Sequence, residues 1–365
     1  MKKTALLALC ACLSLPHVAP AQDTRAAVGI SFENFSFSSA AAVGVKKVSL
    51  LTVPLAACVR LSEALAVDVS SAWASGRMER SDDSESTISG PTDTELRVTL
   101  GLGRGLVILT GIAQLPTGRE SLSFDQTDLA GVISADVLPF RLSNWGSGGG
   151  AGLNAAVVRS MGLYAAGVSV GYVVAREYEP LDESFAYRPG NQLGVRAVID
   201  RTFGGSSKLS LVLSAQRYDA DQIEGANLFR AGHRYEAIGS YAFAVGTSGA
   251  GLAYVGYLHR NEGEYLDTPL FMPVQALLFL GAGLETRMGA GHLRPRAELR
   301  VLRRDDGIGQ GYTISAGADL EQPIGRLTLL PSLRGRFGNI VLREEAESRF
   351  TGFELGLGLR FGRAN

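Results

Sequence analysis

The stretch F-E-L-G-L-G-L-R-F, residues Phe353 to Phe361, alternates between two kinds of side chain without interruption. One face carries Phe353, Leu355, Leu357, Leu359 and Phe361, and the other carries Glu354, Gly356, Gly358 and Arg360. A period of two is the signature of a β-strand whose faces meet unlike environments. The apolar face is more hydrophobic than one side of a soluble sheet needs.

The same alternation recurs in the three segments that precede this strand, 291–304, 309–321 and 326–338. Their apolar faces carry Leu293, Leu299, Val301, Tyr312, Ile314, Leu320, Leu327, Leu333 and Phe337. Their polar faces carry Arg294, Arg296, Glu298, Arg300, Asp319, Glu321, Arg334 and Arg336. A soluble β-sandwich would also alternate, but it would not sustain so many strands with arginine facing inward.

The first residues indicate export. Lys2 and Lys3 precede an apolar run over 5–15, and Ala19-Pro20-Ala21 fits a signal-peptidase site before Gln22. We therefore expect a signal peptide over residues 1–21, too short to span a bilayer, and a single mature domain over 22–365. A lipoprotein signal ending at Cys12 is the alternative, although its apolar core would be very short.

Composition narrows the remaining classes. Of the three cysteines only Cys58 stays in the mature chain, which excludes a disulfide framework or a cysteine metal site. The formal net charge of −1 makes nucleic acid an unsuitable partner. No run of 18 apolar residues follows the signal. An exported chain rich in glycine, with 45 residues of it, can then cross a membrane only as a closed barrel, because lipid tolerates no unpaired sheet edge.

The final strand ends in an aromatic residue, Phe361, four residues before Asn365. In this it resembles the last strand of bacterial outer-membrane β-barrels, although Asn365 lies slightly beyond the usual terminal aromatic. The resemblance implies that the outward residues Phe353 to Phe361 form the signal that the barrel assembly machinery recognises. It also implies outer-membrane lipids as partners. The predicted fold is all-β, a closed transmembrane antiparallel up-and-down barrel.

We predict sixteen strands, each roughly 10 to 15 residues long. They lie near 26–38, 46–60, 64–77, 93–103, 105–115, 147–158, 163–176, 190–203, 207–218, 229–245, 250–262, 275–287, 291–304, 309–321, 326–338 and 349–361. Short turns alternate with longer polar loops, including one over 78–92, as in outer-membrane barrels. An even number places both termini on the periplasmic side, and merging neighbouring segments would leave fourteen strands.

A barrel of this size encloses a lumen wide enough for water. Arginine or lysine on the lipid face would cost about 2–4 kcal/mol near the midplane, so the charged faces must line the lumen. The predicted pore-lining set is Arg294, Arg296, Glu298, Arg300, Asp319, Glu321, Arg334, Arg336 and Arg360. Two interpretations stay open: opposite charges on adjacent strands pair to build the wall, or the arginines form a basic ladder that shapes the field in the pore.

The connection 116–146, about 30 residues, is long for a loop without a function. General porins fold the loop at this position into the lumen, and the segment resembles that arrangement in place and length. The residues available to line a constriction are Arg119, Glu120, Asp125, Asp128, Asp136 and Arg141. Its apolar stretch 129–140 favours packing inside the barrel or a short helix. A lid on the outer rim and an additional strand pair are the alternatives.

A second likeness covers roughly residues 95–205. Leu115-Pro116-Thr117-Gly118, the glycine-rich stretch Ser147 to Gly152 and the sequence GYVVAREYEP from Gly171 are similar to transporter-like barrels of the phenol meta-cleavage pathway. These are grouped with the long-chain fatty acid transporters, which implies hydrophobic or aromatic solutes. Fatty acid transporters carry an N-terminal hatch, whereas only residues 22–25 precede the first predicted strand here. That departure favours an open or loop-constricted channel.

No motif in the sequence indicates a catalytic site. Gly167-Val168-Ser169-Val170-Gly171 matches G-x-S-x-G, but a nucleophile elbow needs a strand–turn–helix context and Ser169 falls within a predicted strand. The mature histidines, His233, His259 and His292, have no spacing typical of a base or a zinc site. We therefore predict no catalytic residue, no metal and no cofactor.

The sequence thus favours a non-enzymatic channel in the bacterial outer membrane for passive uptake of small solutes, with 116–146 as its constriction. The expected partners are a small-molecule solute, outer-membrane lipids and the assembly machinery, and the chain is also a candidate homo-oligomer. An outer-membrane lipid-modifying hydrolase and a structural barrel without transport are the alternative functions.

Overall fold

The computed structural model describes residues 24–182, 185–204, 207–246, 249–268, 270–343 and 346–362. The predicted signal peptide over residues 1–21 lies outside them. In chain order the described elements are β1 (Thr24–Phe37), α1 (Ala40–Val43), β2 (Val45–Arg60), β3 (Leu65–Arg80), β4 (Glu85–Pro91), β5 (Thr94–Leu102), β6 (Val107–Leu115), α2 (Phe124–Ile133), β7 (Gly150–Met161), β8 (Tyr164–Ala175), β9 (Tyr187–Arg188), β10 (Gln192–Phe203), β11 (Ser207–Tyr218), β12 (Ala220–Ile223), β13 (Ala226–Arg230), β14 (Arg234–Val245), β15 (Gly249–Arg260), β16 (Gly263–Tyr265), β17 (Phe271–Met272), β18 (Gln275–Met288), β19 (Gly291–Arg304), β20 (Gly311–Ile324), β21 (Leu327–Arg343) and β22 (Ala346–Phe361).

The large sheet closes on itself. Each of its strands pairs antiparallel with the next one along the wall, and β1 pairs with β2 on one side and with β22 on the other. β4 and β5 act as one broken strand, because β3 pairs with β4 through 73–79 and with β5 through 65–70. The wall is therefore a closed barrel of 16 strands. The predicted fold class and strand count are confirmed.

The two ends of the barrel differ. One end, here called the turn end, has the short hairpin connections, two of which place Gly162 and Gly289 at φ 62°, a left-handed conformation that favours glycine. The opposite end, the loop end, has the longer connections. The predicted loop over 78–92 is wrong for most of its length, since β3 continues to Arg80 and β4 begins at Glu85. This polar sequence stays in the sheet because Met78 and Ile88 are buried inside the barrel.

The two faces of the wall match the predicted alternation. On β22, Phe353, Leu355 and Leu357 are 40–48 % exposed on the outside, whereas the inward Glu354 is fully buried. Exposed apolar side chains cover the outer face of most other strands as well. Such a continuous apolar exterior is far larger than a soluble monomer shows and suits contact with hydrocarbon.

Leu357 is the middle residue of the outward apolar row on β22, so we expect Leu357→Lys to destabilise the barrel by about 2–4 kcal/mol in lipid. The matched variant is Ser332→Lys on β21, whose side chain lines a cavity inside the barrel. The measurement is the urea midpoint of unfolding in lipid vesicles. Equal losses for the two variants would contradict the assignment of the faces.

Three loop-end connections form a second, smaller sheet. Its strand order is β17–β16–β13–β12–β9, and neighbouring strands pair antiparallel. This sheet, here called the rim sheet, lies beyond the ends of β8, β10, β11, β14, β15 and β18. It continues the barrel wall at the loop end.

The hydrophobic core lies within the barrel. Segment 116–146, which contains α2, contributes the buried side chains of Leu129, Ile133, Val137, Leu138 and Trp145. The wall contributes the inward-facing Phe35, Val48, Leu50, Met78, Ile88, Ile340 and Phe350. Neither described helix has the length and apolar character needed to cross a membrane.

Candidate functional site: a narrowed lumen

Segment 116–146 leaves and rejoins the wall at one carboxylate, that of Asp93. The backbone N–H of Gly118 donates to Asp93 Oδ1 at 3.0 Å, and the N–H and hydroxyl of Ser147 both donate to Oδ2 at 2.8 Å. Asp93 lies in the break between β4 and β5. Because Asp93 lies in this break, its carboxylate can accept hydrogen bonds from both ends of the segment. These contacts lie in the middle of the wall, just beyond the end of β6.

The first half of the segment is fixed by α2. Arg80 on β3 donates to the backbone oxygen of Asp125 at 3.0 Å and to Asp128 Oδ2 at 3.2 Å. The hydroxyl of Ser86 on β4 donates to the same backbone oxygen at 2.7 Å. Beneath these contacts Ile133 and Trp145 pack over the backbone of Gly76, where a Cβ atom would lie about 3 Å from the Trp145 ring and from the Ile133 Cδ1 methyl group.

The second half continues along the inner wall, where it contacts β18 through Asp136 and then β1 and β22 through Phe140 and Arg141. The ring of Phe140 lies 4.8 Å from that of Phe35 on β1, edge to face. The next residue, Arg141, donates from its backbone N–H to Glu33 Oε2 at 2.9 Å and from Nε to Glu354 Oε1 at 2.8 Å. Residues far apart in the chain are thus brought together inside the barrel by a single arginine.

Arg141 belongs to a group of five charges, here called the latch cluster: Glu33, Glu354, Arg141, Arg334 and Arg336. Arg336 donates to Glu33 Oε1 at 2.9 Å and also to Glu354. Arg334 donates to Glu354 Oε2 at 2.9 Å. The side chains of Glu33 and Glu354 are 0 % exposed and that of Arg336 is 3 % exposed. Three cations therefore share two buried carboxylates, and each carboxylate stabilises the wall and the segment together.

The remaining predicted pore-lining arginines also have carboxylate partners. Arg296 lies 2.6 Å from Asp319, and Arg294 lies 2.7 Å from both Glu285 and Glu321. Arg300 pairs with Glu298 on its own strand, and Arg360 pairs with Glu321 across two strands. Among the described residues these ion pairs form three groups, one around Glu354 and Asp319, one around Glu321 and one at Glu298, and such pairing of opposite charges is what the wall-building interpretation expects.

Two cavities meet at the latch cluster. One, of about 400 Å³, lies towards the turn end, and the other, of about 220 Å³, lies at mid-height. Both are lined by Arg141, Arg296 and Arg334. These three guanidinium groups therefore lie between the two cavities, at the candidate narrow point of the lumen.

Of the six predicted constriction residues, three contact the wall through their side chains. Arg141, Asp128 and Asp136 contact the wall, the last of them through Gln275. Among the described residues Arg119 donates to the backbone oxygen of Ser121, and Asp125 accepts hydrogen bonds through its backbone oxygen. Glu120 lies near Tyr178 at the loop end, where burial, followed by the charges of Asp221, Asp93 and Glu120, raises the pKa of the tyrosine hydroxyl.

Sequence reasoning missed two residues that hold the segment, Glu33 and Asp93. Glu33 could have been found, because it is a charge in a strand and shares a face with Ser31 and Phe35. Asp93 carries no such signal, since its role depends on where the wall breaks. The apolar inward residues of β1 to β4 were also missed, because the prediction assigned the lumen to polar side chains.

The G-x-S-x-G serine has no catalytic surroundings in the described residues. Ser169 lies within β8, opposite Ala156 on β7 and Arg196 on β10. No described histidine forms a hydrogen bond with it. The side chains of His233, His259 and His292 lie on other strands or their ends, and the described residues contain no group of three or more His, Cys, Asp or Glu side chains arranged to hold a metal ion.

The chain matches no protein-family model and no curated protein. Among solved structures it is similar to a high-pH structure of Pseudomonas putida OprB, with 8 % identity over 93 % of this chain and 94 % of that one, at a TM-score of 0.51. Other similar structures are outer-membrane expressed OmpT of Vibrio cholerae, with 11 % identity over 94 % and 99 % of the chains and a TM-score of 0.46, and an anion-selective porin from Comamonas acidovorans, with 13 % identity over 93 % and 99 % and a TM-score of 0.44. At such identities the likeness to OprB concerns the fold, which is that of an outer-membrane β-barrel.

Proposed function

We propose that this protein is an outer-membrane channel for passive uptake of small solutes, narrowed by segment 116–146. The observation that carries the proposal is the latch cluster, in which Arg141 holds the segment against Glu33 and Glu354 inside a closed barrel. Beside the cluster the inner face of the wall carries charged side chains, whereas the outer face is apolar. A barrel with only a structural role has no need of a segment fixed across its lumen.

The charges of the narrow point indicate what passes. Arg141, Arg296 and Arg334 face the solute, but Asp319 and Glu354 neutralise most of their charge. Weak selectivity between anions and cations is therefore expected. The likeness of residues 95–205 to transporters of the phenol meta-cleavage pathway adds hydrophobic or aromatic compounds as candidate solutes.

The remaining expectations stay part of the proposal. The alternating row that ends in Phe361 would be recognised by the barrel assembly machinery, and the turn end, where β1 begins and β22 ends, would face the periplasm. Assembly into a homo-oligomer is a further prediction. The proposal assigns no catalytic residue to the chain.

Single-channel recording in planar lipid bilayers tests the function. The folded protein is expected to produce discrete, long-lived current steps with a reversal potential near zero in a potassium chloride gradient. Heat-denatured protein at the same concentration is the control. A folded barrel that inserts into the bilayer and carries no current would contradict the proposal.

A further inference from the structure

Three arginines converge where the barrel wall meets the rim sheet. Arg188 on β9, Arg217 on β11 and Arg230 on β13 line one cavity of about 270 Å³. Asp219 also lines this cavity, together with the amide side chains of Gln222 and Asn227. We call it the rim pocket. It is separate from the lumen cavities beside Arg141.

Two of its three guanidinium groups have no partner among the described residues. Arg230 lies 2.8 Å from Glu264 on β16, an exposed ion pair. Among the described residues, the side chains of Arg188 and Arg217 form neither an ion pair nor a hydrogen bond. Elsewhere at the loop end Arg304 pairs with Asp306. Two unpaired arginines against Asp219 leave the rim pocket positively charged.

The position of Arg217 relates the pocket to the membrane surface. It ends an outward row on β11 that contains the exposed Leu209, Leu211 and Leu213. Its neighbour in the sheet is Leu193, which also faces outward. Along this outward row, Arg217 is thus the first charged residue beyond the apolar side chains on the side of the loop end.

Aromatic residues mark the same level of the wall. Tyr235 on β14 pairs with Ala215, two residues before Arg217, and Tyr172 on β8 pairs with Leu193. Both tyrosines are exposed on the outer face. Tyrosines in such positions lie at the level of lipid head groups. The unpaired guanidinium of Arg217 therefore lies at or just beyond head-group level.

We propose that the rim pocket binds a phosphate group of a lipid in the leaflet that meets the loop end. Guanidinium groups bind phosphate through paired, charge-assisted hydrogen bonds. A phosphate therefore suits Arg188 and Arg217 better than a neutral ligand does. Gln222 and Asn227 can donate further hydrogen bonds from their amides. The lipid chains would lie along the outward leucine row below. This inference rests on the outer-membrane location proposed above.

Lipid binding by the purified protein in detergent micelles tests the inference. The probes are bisphosphorylated lipid A and the same lipid after enzymatic removal of its phosphates, measured by native mass spectrometry. We expect Arg188→Gln/Arg217→Gln to weaken binding of the phosphorylated lipid about tenfold or more, because charge-assisted hydrogen bonds are lost. The dephosphorylated lipid should bind weakly and equally to both proteins.

Arg303→Gln is the matched control. Arg303 is an exposed, outward-facing arginine at the loop end of β19, opposite Ala276, and it lies outside the rim pocket. It should leave lipid binding unchanged. If both variants weakened binding equally, a general effect of surface charge would explain the binding and the inference would be overturned. Unchanged binding by the double variant would also overturn it.

Inorganic phosphate distinguishes the two possible sources of the ligand. If it binds as tightly as the phosphorylated lipid, the lipid assignment is overturned in favour of free phosphate. If it competes only at far higher concentration, the lipid assignment is supported. Because none of these measurements depends on current through the barrel, a failed conductance test and a failed binding test remain distinguishable.

Discussion

Replacing Glu354 by alanine is expected to lower the free energy of unfolding by about 3–5 kcal/mol, because it removes one partner of a buried ion cluster. Glu354 is fully buried and accepts hydrogen bonds from Arg141, Arg334 and Arg336. Without it, Arg336 keeps only Glu33, and Arg334 keeps only Asp319. The loss arises because the buried guanidinium of Arg336 then has one carboxylate partner instead of two.

The measurement is the urea midpoint of unfolding in lipid vesicles, followed by the electrophoretic shift between folded and heated barrel. Glu354→Gln should cost less than Glu354→Ala, since the amide oxygen still accepts a hydrogen bond. Glu85→Ala is the control, because Glu85 pairs with Arg77 in an exposed ion pair at the loop end. If Glu354→Ala were as mild as Glu85→Ala, the latch cluster would contribute nothing to stability.

The last strand shows why the fold could be predicted from sequence. The two sides of the wall meet different media, so Leu355 and Leu357 face outward and Glu354 faces inward. The alternation of hydrophobicity along the strand therefore shows which side each residue faces. The same rule found all sixteen wall strands. It assigned the charged faces to the lumen because the hydrocarbon cannot accommodate them.

The contents of the lumen were less predictable. Phe35 and Leu50 face inward and are fully buried, although the alternation rule assigns polar residues to that side. Their environment is created by Leu129 and Leu138, which come from a segment far away in the chain. The apolar run 129–140 did predict packing inside the barrel or a helix, and both occur. Which wall residues it would contact depends on tertiary structure alone.

The ion pairs illustrate the same limit. Arg334 and Asp319 could be paired in advance, because they lie on adjacent strands with inward faces. The bond between Arg141 and Glu354 joins residues 213 positions apart. Only the path of segment 116–146 through the barrel brings these two side chains together.

Shortening that segment should enlarge the pore more than any single substitution. Replacing residues 120–143 with a short glycine–serine linker removes α2, the buried Leu138 and Arg141, but it keeps Gly118 and Ser147, which are hydrogen-bonded to Asp93. The wall strands remain, and Glu354 keeps Arg334 and Arg336 as partners. We expect a folded barrel of lower stability with a wider lumen.

The control for this variant is a linker of the same composition in place of residues 305–308, in the connection between β19 and β20 at the loop end. That change alters a loop of the barrel without altering its lumen. It should leave the pore as it is in the unmodified protein.

The most direct measurement is the unitary conductance of the three proteins, recorded in planar bilayers under the same salt and voltage. A segment that narrows an aqueous lumen predicts a several-fold larger conductance for the variant shortened at 120–143 than for the unmodified protein and the control. Identical current steps from all three folded proteins would show that segment 116–146 does not restrict the path, and would contradict the account.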